Sequence, residues 1–396
     1  MTAGIRGHRH IDEALLDSPE RLSRADQSQM LRHLASAGAQ LRESAALAAE
    51  TDLSMLEDEG RPRAVVVAGA GTAARTGDIL ETVAGPRCPV PVIGHRSAGI
   101  PGWVGAADAV IAVSASGRSP EALAAAEAAG RRGARLVAIG PPDSELQALA
   151  ERFRSPFVPV PRRAPARASL WALTVPVLLA ARTLGLVRVA EADLAEAATR
   201  LDADADRCRP DAESFVNPGK ALALDLANSI PVVWGSSPLA TVAARRVGDM
   251  ISANARYPVV AGALGEAGRG RVGLLDGVYG GLAESERDIF ADEEEGAAPA
   301  TRLRLLVLRD GGLPDEATGA GEPMAVEERR ADAVLELAAR RGVRSGEIQA
   351  EGASALERLA SLIAVPDFAS VYLSLAHGLD PTAVPAVDEM KEFTRR

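Results

Sequence analysis

The sequence predicts an α/β protein in which a parallel sheet with helices on both faces is built twice. Three observations carry that reading. From residue 64 onward, short apolar runs alternate with glycine turns and alanine-rich helical stretches, the pattern of parallel strands joined by crossover helices. A second series of the same kind opens at "SIPVVWGSS" (229–237). The two series also share a motif. "VVVAGAGTAARTGDIL" and "PVVWGSSPLATVAARRVGDMI" each run from apolar strand through glycine turn into a helix carrying Ala-Ala-Arg and then Gly-Asp, which points to an internal duplication.

Taken in order, residues 12–57 read as a helical lead-in, with helical apolar spacing in "QMLRHLASAGAQLRESAALAAETDL". The first series then gives "AVVVAGAG", a helix over "TAARTGDILETV", "VPVIG", "DAVIAVSASG", a helix from Pro120, and "RLVAIG". The proline- and arginine-rich "PFVPVPRRAPAR" (156–167) reads as a break, after which two helices run to about residue 208. The second series continues through "RVGLLDGVYGG" and "RLRLLVLRD" to a helix near 326–340 and a closing helix around 353–365. Residues 283–299 and 311–325 read as solvated loops. The expected division is a lead-in (1–60), a first domain (61–160), connecting helices (161–215), a second domain (216–375) and a C-terminal segment (376–396).

Composition narrows the function classes. The 396 residues are 47% hydrophobic and 25% charged, as in a globular chain of two or three domains. Acidic residues outnumber basic ones, 54 to 44, with no long basic run, which argues against a nucleic-acid or anionic-membrane partner. Cys88 and Cys208 fall in no zinc or disulfide spacing, and His8 and His10 read as a solvated pair, so neither metal nor cofactor is expected. The first residues lack the apolar core of a signal peptide, and "LWALTVPVLLAA" (170–181) is too short to span a bilayer. The expectation is a cytoplasmic protein acting on a small molecule.

The stretch "AVSASGRSPEALAAAEAAGRRGARLVAIG" (112–140) suggests where that molecule binds. Ser119 suits an N-cap, Pro120 the first helical position and Gly133 a helix stop. The first turn of such a helix presents unpaired N–H groups and the positive end of the dipole, and Ser114, Ser116 and Ser119 surround it with hydroxyls. Two readings stand side by side: a phosphate cradle, or serines that only cap the helix and close a turn. A rival from another class comes from Gly69-Ala70-Gly71-Thr72-Ala73-Ala74, which fits the dinucleotide fingerprint G-x-G-x-x-A. That fingerprint expects an acidic residue after the second strand, where this chain has His95 and Arg96, suited at best to a 2′-phosphate.

From about residue 25 to the end, the chain resembles the bifunctional phosphoglucose/phosphomannose isomerase family, built from two sugar-isomerase (SIS) domains. The resemblance is carried by "ADQSQML", by the glycine turn "GAGTAARTGD", by "GIPGWVGAADAVIAVSASGRSPEAL", by "PARASLWAL", and by "PDFASVYLSLAHGLDPTAVPAVDEMKEF" at the end. It implies a homodimer that binds a hexose 6-phosphate or related phosphosugar through Gly71, Thr72, Ser114, Ser116, Ser119, Arg167 and Thr382, with Lys391 reaching the site. The chain departs from the family pattern at Ala73, where a serine is usual, at Arg118 for an asparagine and at Pro120 for a glutamate. One lost hydroxyl should weaken phosphate binding by about 1.5–3 kcal/mol.

Aldose–ketose isomerisation needs a carboxylate to move a proton between C2 and C1 and an acid/base group to open the ring. The resemblance implies a glutamate in an Asn-Glu-Asn-Ala-Lys-like segment and a histidine sixteen residues later. Here those segments read "SANAR" (252–256) and "AGRGR" (267–271), which puts Ala253 and Arg269 at the two positions. Alanine holds no proton, and arginine stays protonated. The leading expectation is therefore a phosphosugar-binding member without the proton-transfer pair. The alternative is an isomerase of glucose 6-phosphate and mannose 6-phosphate that uses Glu266 as a displaced carboxylate, with His377 and Lys391.

Overall fold

The computed structural model of the chain describes residues 11–57, 60–285, 301–311 and 321–394. His8, His10 and most of the loop stretches 283–299 and 311–325 lie outside the described residues. The chain forms two compact units, one of Arg32–Ala203 with Gly352–Ala360, the other of Met1–Leu31, Asp204–Glu351 and Ser361–Arg396.

The first unit holds a five-stranded, all-parallel sheet. Its strands are β1 (Val65–Ala68), β2 (Val92–His95), β3 (Ala109–Val113), β4 (Arg135–Gly140) and β5 (Phe157–Pro159), in the order β2-β1-β3-β4-β5. β1 and β3 are buried along their whole length, because a parallel strand covered by helices on both faces has no solvent side. β5 corrects the reading of residues 156–167 as a break: the edge of a sheet tolerates proline, whose missing N–H is not needed there. The apolar run at 170–181 is a core helix, Leu170–Thr183, in which every residue from Leu170 to Ala181 is buried.

The second unit repeats the plan with four strands: β6 (Ser229–Gly235), β7 (Val260–Ala263), β8 (Arg302–Arg309) and β9 (Arg344–Gln349), all parallel, in the order β7-β6-β8-β9. This is the same order as the first four strands of the first unit. "RVGLLDGVYGG" contributes no strand; it forms a 3-10 turn over Arg271–Asp276 and the chain beyond it. The helix expected near 326 begins at Gly321 and runs to Arg340, and the closing helix extends over Ala355–Ala376, passing through Pro366. That last helix is long and apolar enough to cross a bilayer, but 89% of its apolar window is buried inside the fold.

The shared Gly-Asp has a packing reason. A Cβ on Gly77 would sit 3.0 Å from Val67 Cβ, and one on Gly248 would sit 3.0 Å from Ala261 Cβ, so each glycine lets its helix lie close against its sheet.

Candidate functional site

In the first sheet the chain leaves β1 toward β2 on one side and β3 toward β4 on the other, so the order reverses between β1 and β3. A crevice outside the carboxyl ends of two such strands is where open parallel sheets bind ligands. Two loops lie there side by side. The glycine turn Gly69–Thr72 follows β1 and leads into the helix Thr72–Ala84, with Gly71 at φ 59 in its N-cap position and no side chain capping it. The serine loop 114–119 follows β3 and leads into the helix Pro120–Arg131. The two strands run in register, Ala68 beside Ala112, and a Cβ on Gly69 would come within 2.8 Å of the Val113 carbonyl.

Ser114 organises the serine loop from inside. It is 1% exposed, and its Oγ accepts from the Gly117 N–H at 3.0 Å, the Ser119 N–H at 3.4 Å and the Ser119 hydroxyl at 3.2 Å. Ser116 Oγ accepts from the Arg118 N–H at 3.2 Å. Gly117 turns the chain at φ 70, and a Cβ there would lie 2.3 Å from Ser144 Cβ. Ser119 occupies the N-cap position as expected, but its side chain makes no capping bond, because its hydroxyl is turned back toward Ser114. Pro120 has no N–H, so the helix begins with a first turn that no side chain caps. Of the reading as a cap and a turn, the helix cap is not made, while Ser114 and Ser116 do close the turn. What remains is a rigid loop, the half-exposed hydroxyls of Ser116 and Ser119, and the positive end of a twelve-residue helix, a set of groups that can hold a phosphate. Gly133 ends that helix at φ 68, with the Ala134 N–H returning to the Ala129 carbonyl.

Thr72 is half-buried at the start of its helix, and Arg167 is half-buried in the short turn Ala166–Ala168. Arg118 is exposed, with no ion pair among the described residues. The tryptophan segment is tied to the sheet by Arg63, which bonds the Trp103 carbonyl at 2.8 Å and grips the buried Asp108 carboxylate at 2.7 and 3.0 Å. Arg96, the residue that the dinucleotide reading assigned to a 2′-phosphate, is engaged elsewhere. Its guanidinium lies 2.7 Å from the Asp78 carboxylate, which Arg75 also pairs.

The second sheet treats the equivalent crevice differently. Ser237 caps the helix Pro238–Met250, accepting from the Ala240 N–H at 3.1 Å, and donates its hydroxyl to Asp310 at 2.8 Å. Asp310, just after β8, also donates its N–H to Ser236. A carboxylate and a satisfied cap leave this crevice unsuited to an anion.

The "SANAR" segment of the second unit forms a π-helical turn, Ile251–Ala255, followed by Arg256 in the left-handed conformation at φ 61. Such turns interrupt helices mostly at functional places. The C-terminal segment clasps it. Asn254 donates to Ser370 at 2.8 Å, Arg256 to the Asp380 carbonyl at 3.2 Å, and the Tyr257 hydroxyl meets His377 Nε2 at 2.6 Å. Ala253 lies within this turn and has no carboxylate of its own.

The Tyr257 hydroxyl accepts from the Asn228 N–H at 3.0 Å and pairs with His377 Nε2 at 2.6 Å, with donor and acceptor in that pair set by the imidazole tautomer. Burial pushes the His377 pKa below its ordinary 6.5, in keeping with a neutral ring. The residue also sits at the end of the helix Ala355–Ala376, before Gly378 at φ 66. Glu266 is exposed on the short helix Leu264–Ala267, with no hydrogen bond or ion pair to its carboxylate among the described residues. Thr382 gives its hydroxyl and its N–H to Asp380, both at 2.8 Å. Burial pushes the Asp380 carboxyl up, but these bonds, with others from Ala383 and Ser28, outweigh it and hold the group below the usual carboxylate range. Lys391 is exposed on the helix Pro385–Thr394, 3.3 Å from Asp388. Sequence reasoning missed Tyr257; its one signal was a lone tyrosine four residues beyond Ala253.

Residues 215–393 match the family described as the bacterial phospho-glucose isomerase C-terminal SIS domain. The chain is 27% identical over 329 residues to the bifunctional phosphoglucose/phosphomannose isomerase of Caldicellulosiruptor bescii, covering 83% of this chain and 88% of that one. Among solved structures it resembles a hypothetical protein from Thermus thermophilus, with a TM-score of 0.67 at 16% identity over 96% of this chain and 94% of the other. A glucose-6-phosphate isomerase like protein from the same organism gives 0.54 at 19% identity, over 95% and 98% of the two chains. At these identities the structural likenesses speak for the fold.

Proposed function

We propose that the chain, which is similar to the bifunctional phosphoglucose/phosphomannose isomerases over most of its length, binds a hexose 6-phosphate or related phosphosugar at the serine loop and does not isomerise it. The observation that carries the reading is the state of residues 114–119. A buried serine fixes the loop, Ser119 leaves its helix uncapped, and two hydroxyls stand at the crevice of the sheet. In this reading Ser116, Ser119, Gly71 and Thr72 hold the phosphate, Ser114 positions them, and Arg167 serves the sugar. Ala253 and Arg269 stand where the proton-handling pair is expected, and general acid–base help is worth about 10²–10⁴-fold. We place the protein in the cytoplasm as a homodimer, which light scattering checks as twice the mass of the chain.

The test pairs calorimetric titration of glucose 6-phosphate and mannose 6-phosphate with a coupled isomerase assay on the same preparation. Saturable binding without turnover is the expected result. Turnover that disappears in Glu266→Gln or His377→Gln makes the protein a working isomerase with relocated groups, and the absence of binding removes the reading altogether.

A further inference from the structure

We propose that the second unit carries a binding site for a small carboxylic acid with an apolar body, in a cavity where Arg269 has a use of its own. The cavity, of about 350 Å³, lies between β6, the short helix Leu264–Ala267 and the long helix Gly321–Arg340. That volume falls at the lower end of small-molecule sites. Its walls are Leu264, Val272, Leu337 and the indole of Trp234.

Every polar side chain in the lining is a donor: Trp234, Arg269 and Arg330. Trp234 is wholly buried, and its Nε1–H has no acceptor among the described residues. A buried donor without a partner is costly, and on this proposal an acceptor that enters the cavity relieves it. Arg269 is exposed and has no ion pair among the described residues, whereas Arg330 pairs with Glu327. The lining carries two guanidiniums, one of them paired with Glu327, a combination that suits a singly charged head better than a dianionic phosphate. The planar guanidinium also matches a carboxylate edge to edge. Leucine and valine walls exclude a sugar, whose hydroxyls would be buried without partners. An aliphatic or arylacetic acid satisfies all of these conditions.

The experiment labels the indole nitrogens of the full chain with 15N and titrates it with phenylacetate and hexanoate, using 2-phenylethanol as the uncharged control. The chain has three tryptophans, so three indole signals arise, and Trp234 is assigned by Trp234→Phe or, by elimination, from Trp103→Phe and Trp171→Phe. The proposal expects the Trp234 signal to shift saturably with both acids, with roughly tenfold weaker binding in Arg269→Gln and in Arg330→Gln and by the alcohol. It is overturned if neither acid gives a saturable shift up to about 10 mM, if the arginine variants bind as the parent does, or if the alcohol binds equally well.

Discussion

Ser114 and Ser119 divide the work of the serine loop, and the division can be measured. Ser114 is buried and accepts three hydrogen bonds from its own loop, whereas Ser119 donates one that it can redirect to a ligand. Ser119→Ala is expected to weaken glucose 6-phosphate binding by about 1.5–3 kcal/mol with little change in Tm, the value of one charge-assisted bond. Ser114→Ala should weaken binding at least as much and also lower Tm, because it removes the buried Oγ that gathers the Gly117 and Ser119 N–H groups. Calorimetry and thermal melting on the two variants separate the roles. His377 gives a pH signature. Burial lowers its pKa in the folded chain below the ordinary 6.5, so the unfolded chain binds a proton more readily. Its contribution to stability is therefore fully present above about pH 6.5 and is lost as the pH falls through the folded pKa. Urea midpoints between pH 5 and 8 should show this loss in the parent and less of it in His377→Gln.

At the scale of elements, one glycine per unit sets the spacing of helix and sheet. Gly77→Ala and Gly248→Ala each push a Cβ to 3.0 Å from a neighbouring Cβ, and each is expected to cost about 1–3 kcal/mol in urea unfolding. Gly117→Ala acts differently. It strains a residue at φ 70 and drives a Cβ into Ser144, so the loop must move and phosphosugar binding should disappear while most of the fold survives. The elements legible in the sequence were those with a strong apolar signal: β1, β3, β4, β6 and β8 are continuous runs because both their faces are covered. β7, "VAGA", is short, half-exposed and rich in small residues, and β9, "RSGEIQ", is a polar edge strand, so neither carried a pattern to read. β5 hid among prolines, and Pro366 suggested a stop that the buried helix Ala355–Ala376 overrides through its packing. The serine loop was legible because its groups are local in sequence. The Tyr257–His377 pair and the lining of the Trp234 cavity were not, because they join residues that are distant along the chain.

Across the whole molecule, the same four-strand order serves two ends. One crevice is an uncapped cradle of hydroxyls, and its counterpart is closed by Ser237 and Asp310. The second unit is held instead by a buried pair, Arg246 and Asp367, at 2.8 Å, which joins the repeated Gly-Asp helix to the helix Ala355–Ala376. Removing one partner leaves a buried charge, so Asp367→Ala is expected to destabilise by about 3–5 kcal/mol in urea unfolding. The account's central claim is that a phosphosugar is bound by a molecule that has no group to move its C2 proton. The most direct test is one NMR sample of the protein with glucose 6-phosphate in D2O, followed for hours. Saturable broadening of the sugar signals with the C2 proton fully retained is the predicted result. Replacement of that proton by deuterium, with fructose 6-phosphate appearing, would contradict it.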